Sequence, residues 1–155
     1  MFTFGQIPMY QSDEKFELGV SDDKRALTLT FSDLRATVGG SKSPGSMSTH
    51  VFSLVLPLEG DEKKVEIEFT IDGFILALEG ATASLVCSVN GQTTVTDFPG
   101  SADQGFLQKL NFAAETPSEA RLCVFLLVGR DSGNANAEVQ LSVTSIDAEI
   151  LPRTP

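Results

Sequence analysis

Val65-Glu66-Ile67-Glu68-Phe69-Thr70-Ile71, residues 65–71, alternates apolar and polar side chains without a break. Successive side chains of an extended chain point to opposite sides, so a beat of two marks a β-strand with one buried and one solvated face. Val65, Ile67, Phe69 and Ile71 form the buried side; Glu66, Glu68 and Thr70 face water.

Working outward, the same beat recurs. Upstream, Phe52, Leu54, Leu56 and Leu58 share a face and end in the turn Glu59-Gly60-Asp61-Glu62. Earlier still, Phe16, Leu18 and Val20 alternate and lead into Ser21-Asp22-Asp23-Lys24, whose composition predicts a turn. Downstream, Asp72-Gly73 signals a turn or a bulge, and Phe74 to Leu78 is apolar on both sides. Ala83, Leu85, Cys87 and Val89 run into Asn90-Gly91. Both central residues of a tight type I′ hairpin turn need positive φ, which Asn and Gly tolerate, so Thr93 to Phe98 reads as the return strand.

Two strands change phase. Leu27, Leu29 and Phe31 share odd numbers, but Leu34, Ala36 and Val38 share even ones. Val139, Leu141 and Val143 give way to Ile146, Ala148 and Ile150 in the same manner. A slip of one residue sends every later side chain to the wrong side unless an extra residue absorbs it, so bulges are expected at Ser32-Asp33 and near Thr144-Ser145.

The remaining segments are less regular. Arg121 to Val128 is apolar on both faces and reads as a central strand covered on both sides. Ser101 to Glu115 reads as a loop with a short irregular element, and Gly39 to Ser48 as a loop by composition. Asp131-Ser132-Gly133-Asn134 reads as a turn, and the tail from Leu151 to Pro155, with two prolines, should leave the sheet. Eight to ten strands without a long helix predict an all-β fold: an antiparallel β-sandwich of jelly-roll type, in one domain over residues 1–155. The immunoglobulin variant is disfavoured because there is no Trp to pack on a Cys–Cys bridge.

At 155 residues and 41% hydrophobic composition the chain needs no metal or disulfide staple to fold. Its formal charge of -10 repels phosphate backbones, and Lys24-Arg25 and Lys63-Lys64 are its only basic pairs, so no nucleic-acid partner is expected. No apolar run approaches the ~20 residues of a membrane span. Met1 to Tyr10 has neither a basic start nor a long apolar stretch, which predicts a cytoplasmic location, or an extracellular one if a leader was removed or export takes another route.

Residues that carry chemistry are scarce. The one histidine, His50, rules out sites needing two, and it reads as an exposed histidine where a loop meets a strand. Asp22 with Asp23, Asp61 with Glu62, and Glu66 with Glu68 are sequence neighbours, whereas a glycosidase needs carboxyls from different parts of the fold across a cleft. Asp131 to Asn136 has the oxygen-rich look of a calcium loop but lacks the closing Glu, and a plain hairpin turn accounts for it. Cys87 and Cys123 read as buried free thiols, with a disulfide as the alternative. Sugar platforms mostly use Trp and Tyr; this chain has no Trp, one Tyr (Tyr10) and 11 Phe. No catalytic or cofactor-binding residue is assigned, no cofactor is expected, and metal ligands are left open.

The segment Ser21 to Leu85 resembles a family of small secreted proteins of unknown function from bacteria and fungi. The residues that carry it are SDDKRALTLTFSDLRATVGG (21–40), FSLVLPLEG (52–60) and TIDGFILALEGATASL (70–85). Phe52 stands where members of that family tend to carry a cysteine. The resemblance implies an all-β fold and brings no activity with it. The residues themselves favour a non-enzymatic structural or interaction module that associates with itself or with another protein. The alternative is a module that binds a glycan or calcium.

Overall fold

The computed structural model describes residues 1–6, 14–39, 46–78, 80–115, 117–130 and 137–152. Ten strands follow one another: β1 (Thr3–Phe4), β2 (Phe16–Val20), β3 (Ala26–Val38), β4 (Met47–Glu59), β5 (Lys64–Ala77), β6 (Ala81–Val89), β7 (Gln92–Phe98), β8 (Ala102–Glu115), β9 (Glu119–Arg130) and β10 (Val139–Ile150). They form two five-stranded sheets, ordered β1-β4-β9-β6-β7 and β2-β3-β10-β5-β8. Every neighbouring pair is antiparallel.

The order follows from one nested ribbon. β6 pairs with β7, β5 with β8, β4 with β9 and β3 with β10. The tip of that ribbon is Asn90-Gly91, with φ of 49° and 85°, the conformation an Asn-Gly hairpin adopts. Rolling the ribbon sets β9 beside β6 and β10 beside β5, which is the jelly-roll wrap. Between the sheets the predicted inward sets meet: Leu27 and Leu29, Phe52 to Leu58, Val65 to Ile71 and Val139 to Ile150 supply buried side chains, and Phe52, Phe69 and Ile67 are fully enclosed. Phe31 and Phe52 pack edge to face at 4.8 Å, with Phe16 against both. Among the described residues no polar or charged residue is buried.

Both phase changes are bulges. In β10 the partners step from Val143 to Ser145 while β5 moves only from Gly73 to Asp72, leaving Thr144 over. The Thr144 hydroxyl donates to the carbonyl of Asp72 at 3.1 Å. On the other side β3 moves from Leu34 to Thr30 across the same step, so the extra residues lie at Ser32-Asp33 as the sequence implied. Asp72-Gly73 is consequently not a turn: β5 runs straight through it, opposite the bulge. Glycine is required there by contact, since a Cβ at Gly73 would lie 2.1 Å from the Ser142 carbonyl oxygen and 2.5 Å from the Phe106 ring.

Three expectations are corrected. Ser101 to Glu115 is not a loop: Ala102–Glu115 is β8, paired with β5 from Ala77↔Ala102 to Lys64↔Glu115. Its inward set is Phe106, Leu110 and Phe112 diluted by Gln104 and Gln108, because an edge strand meets solvent at the rim of the sandwich; Gln108 there accepts a hydrogen bond from Thr96 at 2.7 Å. β4 starts at Met47, inside the stretch read as a loop; residues 40–45 of that stretch lie outside the described residues. β9 is central, but among the described residues it is covered by a second layer on one side only. Leu122, Val124, Leu126 and Val128 are buried, whereas Cys123, Phe125 and Leu127 face outward and are half-buried by their neighbours.

The two outer faces differ in charge. That of the second sheet carries Glu66, Glu68, Asp72, Asp103, Asp147 and Glu149 against Arg35, Lys64 and Lys109, with Lys109 on Glu68 at 3.1 Å. That of the first sheet is largely uncharged. No helix among the described residues is long and apolar enough to cross a membrane.

Candidate functional site

The site begins with the turn that closes β2 onto β3. Lys24, at φ 57°, donates from its backbone N to the Ser21 carbonyl at 2.9 Å, and the Ser21 hydroxyl donates to Asp23 Oδ1 at 2.6 Å. The Arg25 backbone N also donates to Asp23 Oδ1, at 3.1 Å. The Ser21 hydroxyl, followed by that N–H, holds the Asp23 carboxyl below the ordinary value, because both stabilise the charged form. A turn fixed this tightly sets the direction of the next side chain, Arg25.

Arg25 lies at one end of the sandwich, against the close of β10. Its carbonyl accepts from the backbone N of Ile150 at 2.8 Å, and its Nη2 donates to the Ile150 carbonyl at 3.1 Å. The next residue, Leu151, donates to the Glu66 carbonyl at 2.9 Å, which joins the end of β10 to the start of β5. These three segments frame a cavity of about 330 Å³. Its apolar walls include Phe2, Val65, Ile150 and Pro152; its polar groups are Arg25, Glu62, Lys64 and Glu66. Phe2 is held by the turn after β4, where a Cβ at Gly60 would come within 2.7 Å of its ring.

Three of these four charges are satisfied locally. Lys64 meets Glu66 at 3.0 Å, and Glu62 meets the amino group of Met1 at 3.2 Å. Arg25 has no carboxylate within ion-pair distance among the described residues. Its Nε is the one buried side-chain nitrogen or oxygen among them that lacks a hydrogen-bond partner. A buried donor without an acceptor is costly, and such groups mark places where water or a ligand supplies the missing atom. A second cavity, about 220 Å³ between β7 and β8, is lined by Val89, Gln92, Thr93, Thr94, Leu110, Asn111 and Phe112 and has no charged group.

Of the residues singled out in the sequence, Asp23, Arg25, Glu62, Lys64 and Glu66 belong to this site, and the others lie elsewhere. His50 is not an exposed loop histidine: it sits within β4 on the core-facing side, partly buried, with Nε2 bonded to Glu14 Oε1. This pair ties the approach to β2 onto the first sheet, beside the Phe16, Phe31 and Phe52 rings, and neither cavity is lined by it. Glu66 and Glu68 share one strand face, but Glu66 turns out to border the cavity. Asp131 to Asn136 and Tyr10 lie outside the described residues. Among the described residues no group of three or more His, Cys, Asp or Glu is placed to hold a metal ion.

Both cysteines are free thiols. They lie on paired strands, with Cys123 opposite Ser88 and Cys87 opposite Val124, so their side chains leave opposite faces of the sheet and cannot bridge. Burial pushes the Cys87 thiol up to about 12; Cys123 opens to solvent. In the native protein at mildly alkaline pH a maleimide should label Cys123 and leave Cys87 unlabelled, and in denaturant it should label both. Peptide mass spectrometry reads the difference, and equal native labelling would contradict the arrangement.

No protein-family model matches the sequence, and no curated protein does. Among solved structures the chain is similar to TmCBM61, determined in complex with β-1,4-galactotriose, at 9% identity and a TM-score of 0.42, covering 92% of this chain and 90% of that one. It is also similar to the enzymatically active domain of bacteriophage CBA120 tailspike protein 4, at 8% identity and a TM-score of 0.40, where it spans 19% of the longer chain. A third is the CBM22-1 xylan-binding domain of Xyn10C from Paenibacillus barcinonensis, at 14% identity and a TM-score of 0.23, covering 94% of this chain and 86% of that one.

Proposed function

We propose that this chain is a non-enzymatic binding module that takes the end unit of a glycan into the cavity around Arg25. The observation that carries this reading is the orphaned Nε of Arg25 beside a cavity whose other polar groups include carboxylates. A lone guanidinium would suit an anion. Glu62 and Glu66 stand beside it, however, each already held by a cation, the amino group of Met1 and Lys64, so the rim sets carboxylate acceptors next to the guanidinium donor. A neutral polyhydroxylated ligand fits both: its oxygens accept from Arg25, and its hydroxyls donate to the carboxylates. Phe2, Val65, Ile150 and Pro152 offer apolar walls for the C–H faces of such a ligand. The volume, about 330 Å³, is at the lower end of small-ligand sites. That size suits a terminal sugar rather than a long chain laid across a platform, and it explains why exposed Trp and Tyr are not needed.

A glycan array probed with the labelled protein, followed by calorimetry on the best oligosaccharide, tests the proposal. Arg25→Gln should weaken binding by roughly 10-fold to 100-fold, the worth of a hydrogen bond from a charged donor. Glu66→Gln, which keeps the shape of the rim, should weaken it less. Thermal unfolding of both variants checks that the fold is intact. Failure of the wild-type protein to bind any glycan, or unchanged affinity in folded Arg25→Gln, would refute the proposal.

A further inference from the structure

Both outer faces expose apolar side chains, Leu107 and Phe74 among the acids of the second sheet and a continuous row on the sparsely charged first sheet. We infer that the outer face of the first sheet is an interface with a second copy of this chain. One row crosses four strands: Val51 opposite Phe125, Phe125 opposite Val86, Val86 opposite Val95. Val51 and Val95 are 41% and 57% exposed, although valine has no polar group to offer water. Leu127 and Cys123 flank the row on β9, with small hydroxyl residues between them and the margins.

Charge decides the occupant. The molecule carries -10 overall, so two copies repel each other through most of their surfaces, most strongly through the acidic outer face of the second sheet. The outer face of the first sheet, whose charges are few, is the one through which they approach with least repulsion. Its charges lie at the margin: Glu59, Asp97 and the Glu119–Arg121 pair. Asp97 sits at one corner, bonded by the Ser84 hydroxyl at 2.6 Å; Arg121 sits towards the opposite end of β9, on Glu119 at 2.7 Å. A two-fold axis crossing β6 near Val86 sets Asp97 of each copy opposite Arg121 of the other, the self-complementary pattern an isologous dimer requires. Four strands roughly 4.8 Å apart and five rows of outward side chains cover about 500 Å² in projection. That area is at the small end of specific interfaces, so the dimer should have a dissociation constant in the micromolar range.

Sedimentation velocity from about 1 µM to about 500 µM should show a concentration-dependent monomer–dimer equilibrium. Phe125→Asp and Val95→Asp, both on the outer face, should leave the protein folded and monomeric throughout. Asp97→Lys and Arg121→Glu should each weaken the dimer at least tenfold, while an equimolar mixture of the two should restore it, since in the mixed pair both corners again join opposite charges. Labelling of Cys123 should slow as protein concentration rises. A wild-type monomer across the range, or a dimer unaffected by Phe125→Asp, would overturn the inference. So would loss of glycan binding in Phe125→Asp with binding intact in Arg25→Gln, because the face would then be the ligand site. The glycan proposal does not depend on this outcome: monomeric Phe125→Asp should still bind through Arg25.

Discussion

Adding one methyl group at Gly73, as Gly73→Ala, is expected to lower the unfolding free energy by about 3 kcal/mol or more. The new Cβ would lie 2.1 Å from the Ser142 carbonyl oxygen and 2.5 Å from the Phe106 ring. Phe106 is partly buried and can swing at some cost, but the carbonyl belongs to the central strand β10 and is held between β3 and β5. Relief therefore requires moving backbone in two paired strands beside the Thr144 bulge. Gly19→Ala is the control. It also lies in a strand, yet nothing stands within 4 Å of its would-be Cβ. Exchanging glycine for alanine in an open strand position stabilises by roughly 0.5 kcal/mol through lost freedom of the unfolded chain. Urea unfolding of the two variants should move in opposite directions. Equal midpoints for Gly73→Ala and the wild type would show that β10 does not press on β5 as described.

The second large effect is expected at Phe52. Phe52→Ala should cost about 4 kcal/mol, because it empties a fully enclosed ring site. The ring contacts Phe31 edge to face at 4.8 Å and Phe16 at 5.8 Å, joining β2, β3 and β4 across the two sheets. Phe52→Leu, which keeps most of the volume, should cost well under half as much. A double-mutant cycle with Phe31→Ala should return a coupling of about 1 kcal/mol, the share that belongs to the ring pair beyond burial. Strict additivity of the two losses would mean the rings do not interact.

The architecture was legible because most strands bury one face and wet the other. The alternation in β4, β5 and β10 named the inward residues one by one, and the phase changes in β3 and β10 located both bulges. The misreadings share one cause: local pattern cannot report which layer lies opposite. β9 is apolar on both faces, as a strand between two layers would be, but none of the described residues forms a layer over its outer side, and the surplus apolar side chains Phe125 and Leu127 became a surface instead. β8 was missed because Gln104 and Gln108 interrupt its inward set at an edge. The cavity was hidden for a different reason. Arg25 looked like half of a basic pair, and its neighbours come from residues 2, 62–66 and 150–152, which only the rolled ribbon brings together. An unpaired guanidinium nitrogen leaves no mark in a sequence.

The nesting of strand pairs has a consequence for synthesis. β3 and β5 do not touch each other; β10 lies between them, just as β9 lies between β4 and β6. Both wedges follow in chain order the strands they separate. Until residues 139–150 leave the ribosome, β3 and β5 each present an unmatched row of amides and carbonyls, an invitation to pair with neighbouring nascent chains. Pairing of β10 with both strands at once removes these edges.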